Sequence, residues 1–384
     1  MIFIGGAFLA ALLSVLVAIT LSLHLNVNEF IDISMMCGVL GVDNGTCRTG
    51  ALNAGYTMLA GLTICLVLSF AFHSRFARPA YRSIDMRFAF GWCLLAAFLL
   101  LTVHILVEAF GTKTVTRLGE ITRLSSFISL ENLLWPLLLQ LMNSARNPKF
   151  KLMYFSLLLS IVSFSPYRGV LLSVLMFGLA LPAIAGAAKQ KFQWGALRQS
   201  RAIAGVALAS LAGFSLLFAM YSNTLERPAE VVSSQAQEES QGKLTQRLAY
   251  PIFQAYFAER IAYQVNLPTA WDEILRKARL GRRHNLNENL YGKVYGEGTV
   301  GEMTSLYYGE AAANSLSLPL IWIVAGPMLL VAIWLTLGKL GYDVSTLVGI
   351  AIWRGSLGGV ASVLPALILQ ILAIVVLSRR AERD

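Results

Sequence analysis

The chain has 384 residues, of which 56% are hydrophobic and only 14% charged, and its mean hydropathy is +0.63. That balance excludes an ordinary soluble domain and points to an all-α, polytopic integral membrane protein. The net charge of +10 does not imply a nucleic-acid partner. The basic residues gather in short loops between apolar runs, and no recognition motif accompanies them.

A membrane-spanning helix needs roughly 20 apolar residues, fewer inside a bundle. The stretches that qualify are 2–24, 51–73, 88–110, 127–143, 152–166, 168–186, 202–221, 317–337, 343–354 and 357–378, so about ten transmembrane helices are expected. The first has no basic leader and no small-x-small cleavage site, and reads as a span rather than a signal peptide. The 343–354 stretch is short and is interrupted at Trp353-Arg354-Gly355, which fits a half-helix. Arg75, Arg78, Arg82 and Arg87 follow the second span; basic loops follow at 144–151 and 187–201; Arg379, Arg380 and Arg383 close the chain. The positive-inside rule puts all of these in the cytoplasm, together with both termini. The chain then divides into an N-terminal bundle of about seven helices over 1–221, one large extracytoplasmic loop over 222–316, and C-terminal helices with a cytoplasmic tail over 317–384.

Of four cysteines, Cys65 and Cys93 fall inside apolar spans and read as small buried hydrophobes. Cys37 and Cys47 share one outer loop, where a disulfide and two free thiols are both open.

The long outer segment begins with an acidic, Ser/Gln-rich linker over 223–245. Leu248, Ile252, Tyr256 and Ile261 recur at helical spacing and predict a helix over 246–264. Pro268-Thr269-Ala-Trp-Asp272 reads as the capped start of a second. Gly292, Gly296, Gly298 and Gly301 mark a loop before the return span.

Ionisable groups close to membrane spans are the sharpest chemical signals, because their desolvation is costly unless something uses or pairs them. Arg168, between two apolar runs, is either a snorkelling helix-end arginine or a phosphate-binding one facing the bundle interior. His104 and Glu108 are one turn apart and read as a structural pair; Glu131 and Asn132 open the fourth span. Arg276, Lys277 and Arg279 suit a helix C-terminus. His284, beside Arg282 and Arg283, is favoured in its neutral form, which can act as a base. Glu29 and Asp32 are alternative carboxylates just outside the first span. No P-loop, dinucleotide fingerprint or His/Asp/Glu metal cluster is present, so neither a nucleotide nor a metal cofactor is expected.

Three stretches, in this order, resemble the O-antigen polymerase and ligase superfamily. They are Arg123-Leu-Ser-Ser-Phe-Ile-Ser-Leu-Glu-Asn132, Ser163-Phe-Ser-Pro-Tyr-Arg168-Gly, and Arg283-His284-Asn285 in the large outer loop. Gly301-Glu302-Met-Thr-Ser-Leu-Tyr307-Tyr308-Gly309-Glu310 is similar to a segment of the repeat-unit polymerases of that superfamily. The sequence departs from the pattern where Tyr167 precedes the arginine in place of serine, and after His284-Asn285, which tilts the reading from ligase to polymerase.

The resemblance implies a glycosyltransferase of the bacterial inner membrane, with a glycosyltransferase C-like fold. Its substrate would be an oligosaccharide on undecaprenyl diphosphate, its partners the bilayer and a chain-length regulator. Arg168 and Arg123 would clamp the diphosphate, with Arg260 or Arg247 closing from the loop. His284, or else Glu302, would take the proton of the acceptor hydroxyl. Arg283, Asn132, Tyr307 and Tyr308 would complete the substrate contacts. A ligase of the same superfamily and a lipid-linked sugar flippase are the competing expectations.

Overall fold

The computed structural model describes residues 1–24, 27, 30–75, 81–110, 123–125, 128–164, 173–184, 248–261, 286–296, 319–354 and 357–380. These residues are overwhelmingly helical. The helices are α1 (Ile2–His24), α2 (Ile31–Leu40), α3 (Asn44–Arg75), α4 (Met86–Phe110), α5 (Leu130–Ser144) and α6 (Pro148–Phe164). They continue as α7 (173–184) and α8 (248–261), α9 (Leu286–Tyr295), α10 (Pro319–Lys339), α11 (Ser345–Arg354) and α12 (Leu357–Arg380). Ahead of α5, Arg123–Ser125 (β1) and Ile128–Ser129 (β2) pair as a small antiparallel hairpin.

Helix α1 has 23 residues, about 35 Å at 1.5 Å per residue, so it is as long as a hydrocarbon core is thick. It and the stretch Asn44–His73 of α3 are long and apolar enough to cross a membrane by length and composition. Shorter apolar helices lie at Met86–Thr102, Leu133–Ser144, Leu175–Ile184, Ile323–Lys339 and Leu367–Ser378. Trp92, Leu95, Phe98 and Leu99 of α4 point outward, with Phe98 65% exposed. An outward apolar stripe of this kind suits a lipid solvent rather than water.

Packing fixes the directions of the helices. Gly5 of α1 meets Phe70 of α3, while Gly55 of α3 meets Ile19 of α1, so the two run antiparallel. Helix α10 lies parallel to α3: a Cβ on Gly61 would fall 2.4 Å from Ile323, and His73 stacks on Trp334 at 5.3 Å. Tyr154 of α6 donates to the carbonyl of Met86 at 3.0 Å, tying the starts of α4 and α6 together. Helix α11 packs on α1 and α5, with Gly349 against the backbone of Phe3.

The end of the bundle where Met1 lies is held by side-chain amides. Gln140, fully buried, accepts from the backbone N–H groups of Thr346 at 3.0 Å and Leu347 at 3.2 Å. It thereby caps α11, whose first N–H groups have no partner within the helix. Asn143 donates to the carbonyl of Phe177 at 3.0 Å and to Thr346 at 3.1 Å. Phe177 lies within the π-helical stretch Leu175–Ala180, and a side chain competing for a helix carbonyl is a recognised cause of such widening. Arg82 reaches the α10–α11 turn through a backbone bond to Gly341 at 2.8 Å and through its guanidinium, 5.2 Å from the ring centre of Tyr342.

At the other end the structure corrects the sequence reading. The single loop expected to hold both cysteines contains a complete helix, α2, and the first turn of α3. Cys37 on α2 and Cys47 on α3 are joined by a disulfide with Cα atoms 5.8 Å apart. Gly41 supplies the turn between the helices, at φ +66°, a conformation that costs glycine little. Asp43 caps α3, accepting from Thr46 N at 2.9 Å and from the Thr46 hydroxyl. Those bonds hold its carboxyl below the usual range, the side-chain bond to Thr46 contributing most. A depressed folded value contributes stability above the unfolded value near 3.8 that is lost as pH falls through the folded one. Thermal midpoints measured between about pH 2 and 7 should fall more steeply on the acid side for the native chain than for Asp43→Asn.

Two further corrections concern boundaries. The span expected to begin at 127 starts as a helix only at Leu130, after the hairpin. Gly292, expected in a loop, lies inside α9, which ends at Gly296 with φ +100°. The expected span over 202–221, the linker over 223–245 and the helix opening at Pro268 lie outside the described residues.

Candidate functional site

The site grows from the burial of α8. The sequence Leu-Ala-Tyr-Pro-Ile-Phe-Gln-Ala-Tyr-Phe-Ala-Glu-Arg-Ile is apolar around most of its circumference, and a helix of that kind needs cover on more than one side. Ala249, Ile252, Phe253, Gln254, Ala255, Tyr256, Phe257, Ala258 and Ile261 are all buried. Glycines of α3 admit the helix: a Cβ on Gly50 would fall 2.2 Å from the Tyr256 ring, and one on Gly55 would fall 3.3 Å from Ile252. The order of these pairs makes α8 antiparallel to α3, so its C-terminal end lies toward the disulfide. The sequence correctly predicts this helix; its seat within the bundle rather than above it comes from the glycine notches.

Arg260 stands near that end. Its Nε donates to the Tyr256 hydroxyl at 3.3 Å, and its guanidinium lies 5.5 Å from the centre of the same ring. The ring is wedged against Gly50, so the plane of this exposed arginine is set by a buried aromatic residue.

Toward the start of α8, three side chains far apart in sequence meet. Tyr295 of α9 donates to Asp32 Oδ1 of α2 at 2.8 Å. Tyr250 of α8 and Tyr295 lie 3.0 Å apart, oxygen to oxygen. Since Tyr295 gives its proton to the carboxylate, Tyr250 is the donor to Tyr295. Burial, then the bonds to Tyr250 and Asp32, raise the Tyr295 hydroxyl well above its ordinary value, so it stays a donor throughout the physiological range. Of the two carboxylates proposed from sequence near the first span, Asp32 is brought into this chain of hydrogen bonds, and Glu29 lies outside the described residues.

The remaining sequence candidates divide as follows. Arg123 is in β1 and Asn132 is in the first turn of α5. Helix α5 ends among Gln140, Asn143 and Thr346 at the Met1 end, so both residues sit on the side facing away from it. His104 and Glu108 fall in the last turns of α4. Arg168, Arg247, Arg283, His284, Glu302, Tyr307, Tyr308 and Trp271 lie outside the described residues. Among the described residues no group of three or more His, Cys, Asp or Glu side chains forms a metal-binding cluster. Tyr250, Tyr295 and Gly50 were not singled out from the sequence, and Tyr256 was named there only for its helical spacing. The available signals were tyrosines in and after one predicted helix, and glycines spaced along an apolar span. No family model matches the chain, and neither does any curated protein or solved structure.

Proposed function

We propose that the chain is a membrane glycosyltransferase joining undecaprenyl-diphosphate-linked oligosaccharide repeat units into a surface or secreted polysaccharide, at the periplasmic face of a bacterial inner membrane. The observation that carries the proposal is Arg260, held by Tyr256 at the disulfide-bearing end of an apolar helix bundle. A planar, permanently charged guanidinium beside a bilayer suits the diphosphate of a polyprenyl carrier. A disulfide at this end is in keeping with an oxidising compartment. The opposite end collects Arg82, Arg87, Arg146, Lys149, Lys151 and Lys339, in keeping with a cytoplasmic face.

In this reading Arg260, with Arg168 and Arg123, neutralises the diphosphate as the anomeric bond breaks. The acceptor hydroxyl attacks the anomeric carbon, its proton passes to a base, His284 or Glu302, and the lipid diphosphate leaves. The bond between Asp32 and Tyr295 favours a second reading, a glycosyltransferase using a polyprenyl monophosphate sugar with Asp32 as base.

The test is a gel of surface glycan from a strain lacking the chain. Polymerase loss leaves core carrying a single repeat unit. Bare core with long chains on the carrier identifies a ligase, and single units trapped in the cytoplasmic leaflet identify a flippase. Complementation with Arg260→Ala at normal protein level should reduce polymer at least tenfold, as expected for loss of one charged contact in the transition state. A full ladder with Arg168→Ala and Arg260→Ala sinks the diphosphate clamp. Loss with Asp32→Asn but not with those two selects the monophosphate reading.

A further inference from the structure

The starts of α4 and α6 lie side by side at the Met1 end, where Tyr154 donates to the carbonyl of Met86 at 3.0 Å and its ring meets that of Phe90 at 5.5 Å. Four cations stand on or beside those first turns: Arg87 on α4, Arg146 in the turn before α6, and Lys149 and Lys151 on α6. All are exposed. The acidic residue in residues 81–87 and 144–153 is Asp85. Its carboxylate accepts from the backbone N–H groups of Arg87 at 3.0 Å and Phe88 at 3.1 Å, so it caps its own helix. The surface there is strongly positive.

Apolar surface is exposed immediately beyond these charges. On α6, Leu152 is 66% exposed and Met153 beside it is exposed too. On α4, Gly91, Leu94 and Phe98 follow Arg87 at the spacing that shares one helix face, and Leu94 and Phe98 are exposed. A Cβ on Gly91 would meet nothing within 4 Å among the described residues, so that face is notched one turn beyond the cation. Trp92, also exposed, stands against Phe88 with ring centres 6.1 Å apart, at a depth where indoles favour the headgroup region. A soluble acidic partner would match the cations and leave the apolar face wet. An anionic phospholipid matches both, with phosphate at the cations and acyl chains along the leucines and Phe98.

We propose that the starts of α4 and α6 form a docking surface for an anionic phospholipid of the cytoplasmic leaflet, with a preference for a headgroup carrying two phosphates, as in cardiolipin. Arg87 stands on one helix and Lys149 and Lys151 on the other. Two phosphates can each meet a cation, where a single phosphate leaves one helix unmatched. An acyl chain lies in the notch at Gly91. The bound lipid bridges α4 and α6 and stabilises the bundle by mass action. This rests on the bilayer placement of the chain and not on the glycan chemistry proposed above.

Purified full-length chain in detergent is titrated with cardiolipin, phosphatidylglycerol or phosphatidylcholine. Bound lipid is counted by native mass spectrometry while the thermal midpoint is followed. Cardiolipin should raise the midpoint, bind about tenfold more tightly than phosphatidylcholine and bind severalfold more tightly than phosphatidylglycerol. Lys149→Gln with Lys151→Gln should weaken cardiolipin binding about tenfold or more, since each cation beside an anionic lipid is worth about fivefold. Arg87→Gln should weaken it severalfold. Gly91→Leu keeps every charge, meets no neighbouring atom among the described residues, and should also weaken binding severalfold by filling the notch. Arg48→Gln, exposed at the disulfide end, should change nothing. Equal binding of cardiolipin and phosphatidylcholine overturns the surface, as does a loss with Arg48→Gln that matches the lysine pair. Equal binding of cardiolipin and phosphatidylglycerol overturns the two-phosphate preference. A chain recovered in the soluble fraction of lysed cells overturns the bilayer placement itself, whereas a membrane-bound chain with no lipid preference overturns the docking surface alone.

Discussion

Gln140→Leu should lower the unfolding free energy by about 2–6 kcal/mol, because two buried donors lose their acceptor at a cost of about 1–3 kcal/mol each. The donors are the backbone N–H groups of Thr346 and Leu347. Leucine fills nearly the same volume, so cavity formation contributes little and the loss reports the hydrogen bonds themselves. Helix α11 has 10 residues, too few for independent stability, and Gln140, together with Asn143, fixes its first turn to α5. The loss should therefore appear as a lower midpoint of denaturant unfolding in micelles and as faster amide exchange in α11. Unchanged stability would mean that the α5–α11 contact is held by apolar packing alone, and that the amide is incidental.

Replacing Cys37 and Cys47 together by serine should cost about 2–3 kcal/mol, the loop-closure value for a bridge this short; the cysteines are 10 residues apart. The functional loss should be larger than the stability loss. Cys37 sits about one and a half turns beyond Asp32 on α2, so the bridge holds in place the helix that presents the Asp32 carboxylate to Tyr295. Reductant should lower the thermal midpoint of the native chain and leave that of the double variant unmoved. A native chain indifferent to reductant would show that the two sulfurs are not bonded. Polymer loss in the double variant should match that of Tyr295→Phe, since both act through the same contact.

Much of the helical architecture is legible in the sequence because it is written locally. Apolar runs of the right length mark α1, α4, α10 and α12 to within a few residues, and backbone groups in such runs have few ways to be satisfied other than by a helix. Helix α2 was not legible. Its 10 residues are too few to read as a span, and its burial depends on a disulfide partner on another helix. Helix α9 was hidden by Gly292, since glycine is a weak prior that tertiary contact with α2 overrides.

The site divides along the same line. Arg260 can be nominated from sequence as a cation in the polar segment, but the sequence does not say that Tyr256 orients it, because that depends on a notch at Gly50 more than two hundred residues earlier. Asp32 can be listed as a carboxylate near a span. Its pairing with Tyr295, 263 residues away, is a fact of packing.

The sequence by itself determined an apolar, helical chain with basic loops and one long polar segment, because hydropathy and charge are properties of neighbouring residues. The tertiary structure decided which of its polar residues meet. Hydrogen bonds between Asp32, Tyr295 and Tyr250 require three helices to arrive at one place, and no local pattern encodes an arrival.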